Sequence, residues 1–199
     1  MEHRDIFALW AKAGLAIVMT GLEAMDEQAL RRSGKKTTNA INEAAVRIAE
    51  ELGFFLSAGF LVESDFGPED FERIDRYARA RPSILITEYT PLTPFPGTPL
   101  YKTQRKNLVT HEPAFFDLQH FVLPTRLPSK ELYALLKKYY ARSTARVMWQ
   151  LIRSRPKVFL SRHAVRILLG LRRNAQLFDR AYVHLPGRTL DEVVAEDAA

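Results

Sequence analysis

Residues 54–90 read FFLSAGFLVESDFGPEDFERIDRYARARPSILITEYT, and this stretch decides the fold. Phe54 to Val62 is a short apolar run of strand length, buried on at least one face. Gly67-Pro68 then opens a helix, because proline at the first helical position gives up no hydrogen bond the helix needs. Phe71, Ile74 and Tyr77 line one side of that helix, Pro82 closes off the turn after it, and Ser83 to Tyr89 is the next strand. A helix between two strands carries the chain back to the starting end, so the strands run parallel with a right-handed crossover.

The same rhythm extends upstream. Ile6, Leu9, Trp10 and Ala13 fall on one face at helical spacing, and Gly14 sits where a left-handed cap ends a helix. Leu15 to Met19 is a short buried strand ending at Thr20-Gly21-Leu22-Glu23. Asp26 to Arg32 can form two helical turns, and Lys35-Lys36-Thr37-Thr38-Asn39 supplies a cap region for a longer helix. That helix carries Ile41, Ala45, Ile48 and Leu52 on its apolar face and stops at Gly53. The order is therefore helix, strand three times over, an α/β pattern with about three parallel strands. In such sheets ligands bind at the carboxyl ends of the strands. Those ends are Gly21-Leu22-Glu23, Leu61-Val62-Glu63-Ser64 and Thr90 to Thr98.

Beyond Tyr101 the pattern turns to loops and helices, with one helix expected from Lys130 to about Leu151 and another from about Val158 to Phe178. Three regions result: 1–110 with the strands, 111–190 as a helical basic extension, and 191–199 as a frayed acidic tail. Lys130 to Arg180 holds thirteen Lys or Arg against two acids, so +11 there and +6 overall leave −5 for the rest. The chain has no cysteine, which removes disulfides, thiolate metal ligands and thiol nucleophiles and points weakly to the cytoplasm. The N-terminus has no apolar signal core, and no run reaches membrane-spanning length. The histidines are scattered without metal-ligand spacing, so neither a catalytic residue nor a metal ligand is assigned.

The strand ends carry a resemblance. Gly21-Leu22-Glu23-Ala24, with Leu30 and Lys35 beyond it, resembles an element of radical S-adenosylmethionine (SAM) enzymes that carry an N-terminal cobalamin-binding domain. Leu92-Thr93-Pro94-Phe95-Pro96-Gly97-Thr98-Pro99-Leu100-Tyr101 resembles the segment that closes the barrel in that family. Phe116 to Pro128 and the opening helix are similar to the hopanoid C-3 methylase subgroup. The resemblance covers roughly residues 4–150. It implies the C-terminal half of a partial (β/α)6 barrel, followed by a helical extension. Its cofactors would be SAM, a 4Fe-4S cluster and cobalamin. The cluster needs three cysteines in a loop after the first barrel strand; that loop and the cobalamin domain have no counterpart here, so the chain alone cannot hold the cluster and is expected to be inactive.

The resemblance also proposes cofactor-binding positions, each with a plainer alternative. Glu23 lies where the family places a polar side chain near SAM, or it is a solvated loop acid. Lys35 would pair with the SAM carboxylate as a point charge, or it is a surface lysine. Leu61 and Val62 would offer backbone beside the adenine. Pro94, Pro96, Gly97 and Thr98 would form a rigid wall, since proline fixes φ and glycine permits a turn. His120 near Asp117 reads as a satisfied histidine before it reads as a dyad.

These features imply a fragment of a cobalamin-dependent radical SAM methyltransferase acting on a hopanoid-like lipid. The alternative is a non-enzymatic membrane-surface or scaffold protein retaining the half-barrel. A chain supplying the N-terminal half-barrel is the expected partner. The basic segment with Trp149, Phe159, Ile167 and Leu168 suits a membrane surface or lipid substrate, at the inner face of a cytoplasmic membrane. No recognition motif accompanies the charge, which argues against nucleic acid. A half-barrel would also expose two sheet edges and one face, and so be poorly soluble.

Overall fold

The computed structural model describes residues 3–23, 38–154, 166, 169 and 170. Helix α1 (Arg4–Lys12) leads into strand β1 (Ile17–Glu23), and then come α2 (Asn39–Leu52), β2 (Phe55–Val62), α3 (Pro68–Arg79), β3 (Ile84–Pro91), the short α4 (Pro99–Gln104) and the long α5 (Ser129–Ser154). The strands form one sheet in the order β1-β2-β3, both pairs parallel. The α/β pattern and the parallel direction are as expected. The helix expected over 26–32, all of the one expected over 158–178 except residues 166, 169 and 170, which are helical, and the tail 191–199 lie outside the described residues.

Local chemistry sets the boundaries. Thr38 caps α2 by accepting from the Ile41 N–H, and Gly53 ends it at φ 77°. Gly67 precedes Pro68, and the Asp70 carboxylate accepts from the Gly67 N–H at 2.8 Å. Any side chain at 67 would collide with the Arg126 guanidinium, whose Nη2 lies 1.5 Å from where a Cβ would stand.

The core lies between the sheet and the helices. Leu56, Ala58, Phe60 and Val62 of β2 turn to the helix side, where they meet Leu22, Val46, Ala49, Phe71, Ile74 and Ala78. Two helical faces differ from the spacing argument. In α2 the buried positions are Asn42, Val46 and Ala49, while Ile41 is 49% exposed. The Asn42 amide donates to the Leu22 carbonyl at 2.9 Å, so a polar anchor rotates the helix one position from its most apolar side. In α1 only Phe7 packs inward, stacking on Phe54. Ile6, Leu9 and Trp10 are exposed.

Of the two open edges expected, one is closed. The Thr87 N–H donates to Ser143 Oγ at 2.8 Å. The Tyr140 hydroxyl accepts from the Tyr89 N–H at 3.2 Å and donates to the Tyr89 carbonyl at 3.0 Å. Arg146 donates to Thr87 Oγ1 at 3.1 Å and to the Ile84 carbonyl. These side chains of α5 stand where a fourth strand would pair. The helix is held there by Asp75 of α3, 1% exposed, which binds Arg79, Arg142 and Arg146 at 3.1 to 3.2 Å. Leu132, Tyr133, Leu136 and Tyr139 continue the core into α5.

Ser143→Ala strands a buried donor and is expected to cost about 1–3 kcal/mol. Tyr89→Phe is expected to do the reverse, because the buried Tyr89 hydroxyl has no hydrogen-bond partner among the described residues. Urea unfolding of the two variants beside wild type checks the pair: a lower midpoint for the first and an equal or higher one for the second.

Candidate functional site at the carboxyl rim of the sheet

The three strand ends stand side by side. Gly21 pairs with Gly59 and Glu23 with Phe60, with a register irregularity between them. Leu61 pairs with Thr90 and Val62 with Pro91, and the Leu92 N–H donates to the Val62 carbonyl at 2.9 Å. Glu23, Leu61, Val62 and the chain entering Pro94 to Thr98 therefore share one rim. Lys35 lies outside the described residues.

Their burial differs. Val62 is fully buried toward the helices, and its carbonyl is already used by Leu92, so it offers the rim little. Leu61 is half-buried. Pro94 is buried while Pro96 and Gly97 are exposed, and Gly97 takes φ 90°, a conformation that costs glycine nothing. Thr98 has a structural duty: its hydroxyl donates to the Phe95 carbonyl at 2.7 Å and accepts from the Tyr101 N–H at 3.2 Å, capping α4. The loop is thus stiff at both ends.

Glu23 adopts φ 65°. A left-handed conformation costs a residue with a Cβ about 1–2 kcal/mol, and such strain gathers where a side chain must be aimed rather than where packing is easy. It coincides with the irregular pairing at the end of β1, where the register skips Leu22 and resumes with Glu23 opposite Phe60.

Sequence reasoning missed the face beneath the rim. Gly21, Gly59 and Glu88 form one row across the three strands. Glu88 accepts a hydrogen bond from the buried Ser57 hydroxyl. Gly59 has ordinary backbone angles, and a Cβ there would touch only Thr20 O at 3.7 Å and Gly21 Cα at 3.9 Å. Neither backbone nor packing at Gly59 requires glycine; strand glycines of this kind occur beside bulges, such as the one after Gly21, and where a ligand or another backbone approaches closely. The signal was the glycine inside the apolar run of β2, legible only once its row was known.

The loop after α4 returns to the rim. The Arg126 N–H donates to the Ser64 carbonyl at 2.8 Å, and its guanidinium pairs with Glu69; that hydrogen bond holds the Glu69 carboxyl below its usual range. His120 Nδ1 lies 2.9 Å from Asp117, which also accepts from the backbone N–H groups of Gln119 and His120. The pair is a satisfied turn, as expected. Burial pushes the Tyr133 phenol up, where its hydroxyl joins Phe121 to Gln119. Away from the rim, a cavity of about 270 Å³ lies between α1, α2 and the sheet, lined by Phe7, Val18, Ala45, Ile48, Phe54 and Leu56. Among the described residues no three His, Asp or Glu side chains gather as a metal site, and a chain without cysteine has no thiolate for an iron-sulfur cluster.

No family model matches the sequence. Over 138 residues, 69% of this chain, it is 33% identical to the hopanoid C-3 methylase of Methylococcus capsulatus. This chain is related to that methylase. The kinship expected from the strand-end segments is borne out. The match takes in 26% of the methylase's own length, so the chain spans about a quarter of the relative it matches.

The strain at Glu23 can be weighed directly. Glu23→Ala and Glu23→Gly both lose the carboxylate, but only glycine accepts φ 65° freely. The glycine variant is expected to be the more stable by about 1 kcal/mol, read as a higher melting temperature.

Proposed function

We propose that this chain supplies the SAM-facing half of a methyltransferase of the cobalamin-dependent radical SAM type, acting on a hopanoid-like lipid. The observation that carries the reading is the relationship to hopanoid C-3 methylase over 69% of the chain, with a rim where three parallel strands end together. The parallel sheet is that of a half-barrel in this reading. Glu23 accepts hydrogen bonds from the ribose hydroxyls or the ammonium group of SAM, Lys35 meets its carboxylate, Leu61 presents backbone to the adenine, and Pro94 to Thr98 walls the pocket. The residues present do not fit an iron-sulfur cluster, so the cluster and cobalamin would be held by residues other than these. The radical step is not carried by this chain.

Isothermal titration calorimetry with SAM and with S-adenosylhomocysteine tests the reading. Both are expected to bind, and Glu23→Ala is expected to weaken them about tenfold, the loss of one charge-assisted hydrogen bond. Gly59→Val should also abolish binding while leaving the melting temperature equal or higher. No heat with either ligand at millimolar concentration would remove the assignment.

A second reading rests on a separate observation. Trp149 and Ile152 of α5 are exposed, with the exposed Arg153 beside them, and an aromatic-aliphatic face with cations suits an interfacial helix. Among the described residues no helix is long and apolar enough to cross a membrane. Co-sedimentation with phosphatidylglycerol vesicles that falls with salt, and falls with Trp149→Ala, is the expected result for a protein on a lipid surface.

A further inference from the structure

The face of the sheet turned away from the helices holds a carboxylate that the rim does not use. Thr87 meets Arg146 of α5 and Tyr89 packs on Phe71 of α3, so alternation along β3 turns Glu88 to the opposite face, with Ser57, Gly59 and Leu61 of β2 beside it. In the half-barrel reading this face is the lumen. Glu88 pairs with Gly59 and Gly59 with Gly21, so the acid stands beside two positions that carry no side chain. No side chain from β1 or β3 comes within 4 Å of where a Cβ at Gly59 would stand. Half-buried Leu61, two residues above Gly59 on the same face, and half-buried Ile86, two residues below Glu88, border the space with apolar surface. The buried Ser57 hydroxyl donates to Glu88 Oε1. That bond fixes the acid without bringing a countercharge, and it leaves Oε2 for a group above the glycines.

SAM has three charged centres: an ammonium, a carboxylate and a sulfonium. The roles given to Glu23 and Lys35 answer the first two and leave the sulfonium without a partner. Resting on that reading of the rim, we propose that Glu88, held by Ser57, is the countercharge to the sulfonium and sets a preference for SAM over S-adenosylhomocysteine, whose sulfur is uncharged. The chemistry of the two groups matches. An ammonium has three protons to place and calls for several acceptors, whereas this face offers one free carboxylate oxygen. A sulfonium has no N–H or O–H, so only charge can hold it, and that attraction weakens with distance and with water in between. A fixed carboxylate beside bare backbone allows the close approach that such a cation needs, and the apolar border of Leu61 and Ile86 keeps water from the gap. Glutamate in mid-strand also runs against β propensity, which suits a residue placed for a ligand rather than for the sheet.

The ratio of two affinities tests this. Calorimetry on the full chain is expected to show wild type binding SAM more tightly than S-adenosylhomocysteine. Glu88→Gln keeps the shape of the side chain and an oxygen that accepts from Ser57, so it should melt with wild type. It should weaken SAM at least about tenfold and leave S-adenosylhomocysteine within about twofold, while Glu88→Asp, which keeps the charge, retains part of the preference. Equal wild-type affinities for the two ligands would overturn the proposal, and so would an equal loss of both in Glu88→Gln, which would place the acid on a group they share. An unchanged SAM affinity in that variant would do the same. In each of these cases the ligands still bind, so the reading of the rim stands and this inference alone falls. A wild-type chain that binds neither ligand removes both.

Discussion

A three-stranded parallel sheet leaves a column of backbone donors and acceptors along each outer side, and the way α5 satisfies one of them governs the rest of this molecule. Ser143, Tyr140 and Arg146 reach the backbone of β3 from a helix that starts 38 residues after the strand ends. Buried peptide groups are nearly always paired, so β3 can sit at an edge and still be covered. Asp75 makes the arrangement specific, because a carboxylate buried in α3 needs the guanidinium groups of Arg142 and Arg146 as much as those groups need it. The exit of β3, with its proline-rich turn, is thereby held in fixed relation to β2.

Much of this architecture was legible in the sequence, and the reason is physical. Parallel strands buried by crossover helices read as short apolar runs, and Gly53 and Pro68 punctuate the elements through local backbone constraints. Which face of each helix is buried was less legible. The stripe of Ile41, Ala45, Ile48 and Leu52 is the more apolar side of α2, yet one hydrogen bond from Asn42 to the Leu22 carbonyl turns the helix toward Asn42, Val46 and Ala49. The face of Ile6, Leu9 and Trp10 reads as a core stripe because periodicity records that a surface is apolar, not what covers it. The closing of the β3 edge depends on Thr87 meeting Ser143, a pairing across 56 residues that no local pattern contains.

The candidate rim divides in the same way. That Glu23, Leu61 and the proline-rich turn emerge at one end of the sheet follows from direction and topology alone, so the sequence sufficed to group them. Their individual roles depend on backbone details. Val62 faces the core and spends its carbonyl on Leu92, and Thr98 caps α4, whereas Glu23 is held at an angle unfavourable to any residue with a Cβ. The Gly21-Gly59-Glu88 row was invisible until the register was known, because neighbouring members lie 38 and 29 residues apart and meet only across strands.

The rim and the outer edge of β1 meet at Glu23. Residues up to Gly21 keep regular pairing with β2; at Glu23 the pairing shifts and φ turns positive. The irregularity falls after five regularly paired residues, and Glu23 resumes the pairing opposite Phe60. One local distortion thus coincides with the strand end at which the candidate acid of the rim stands.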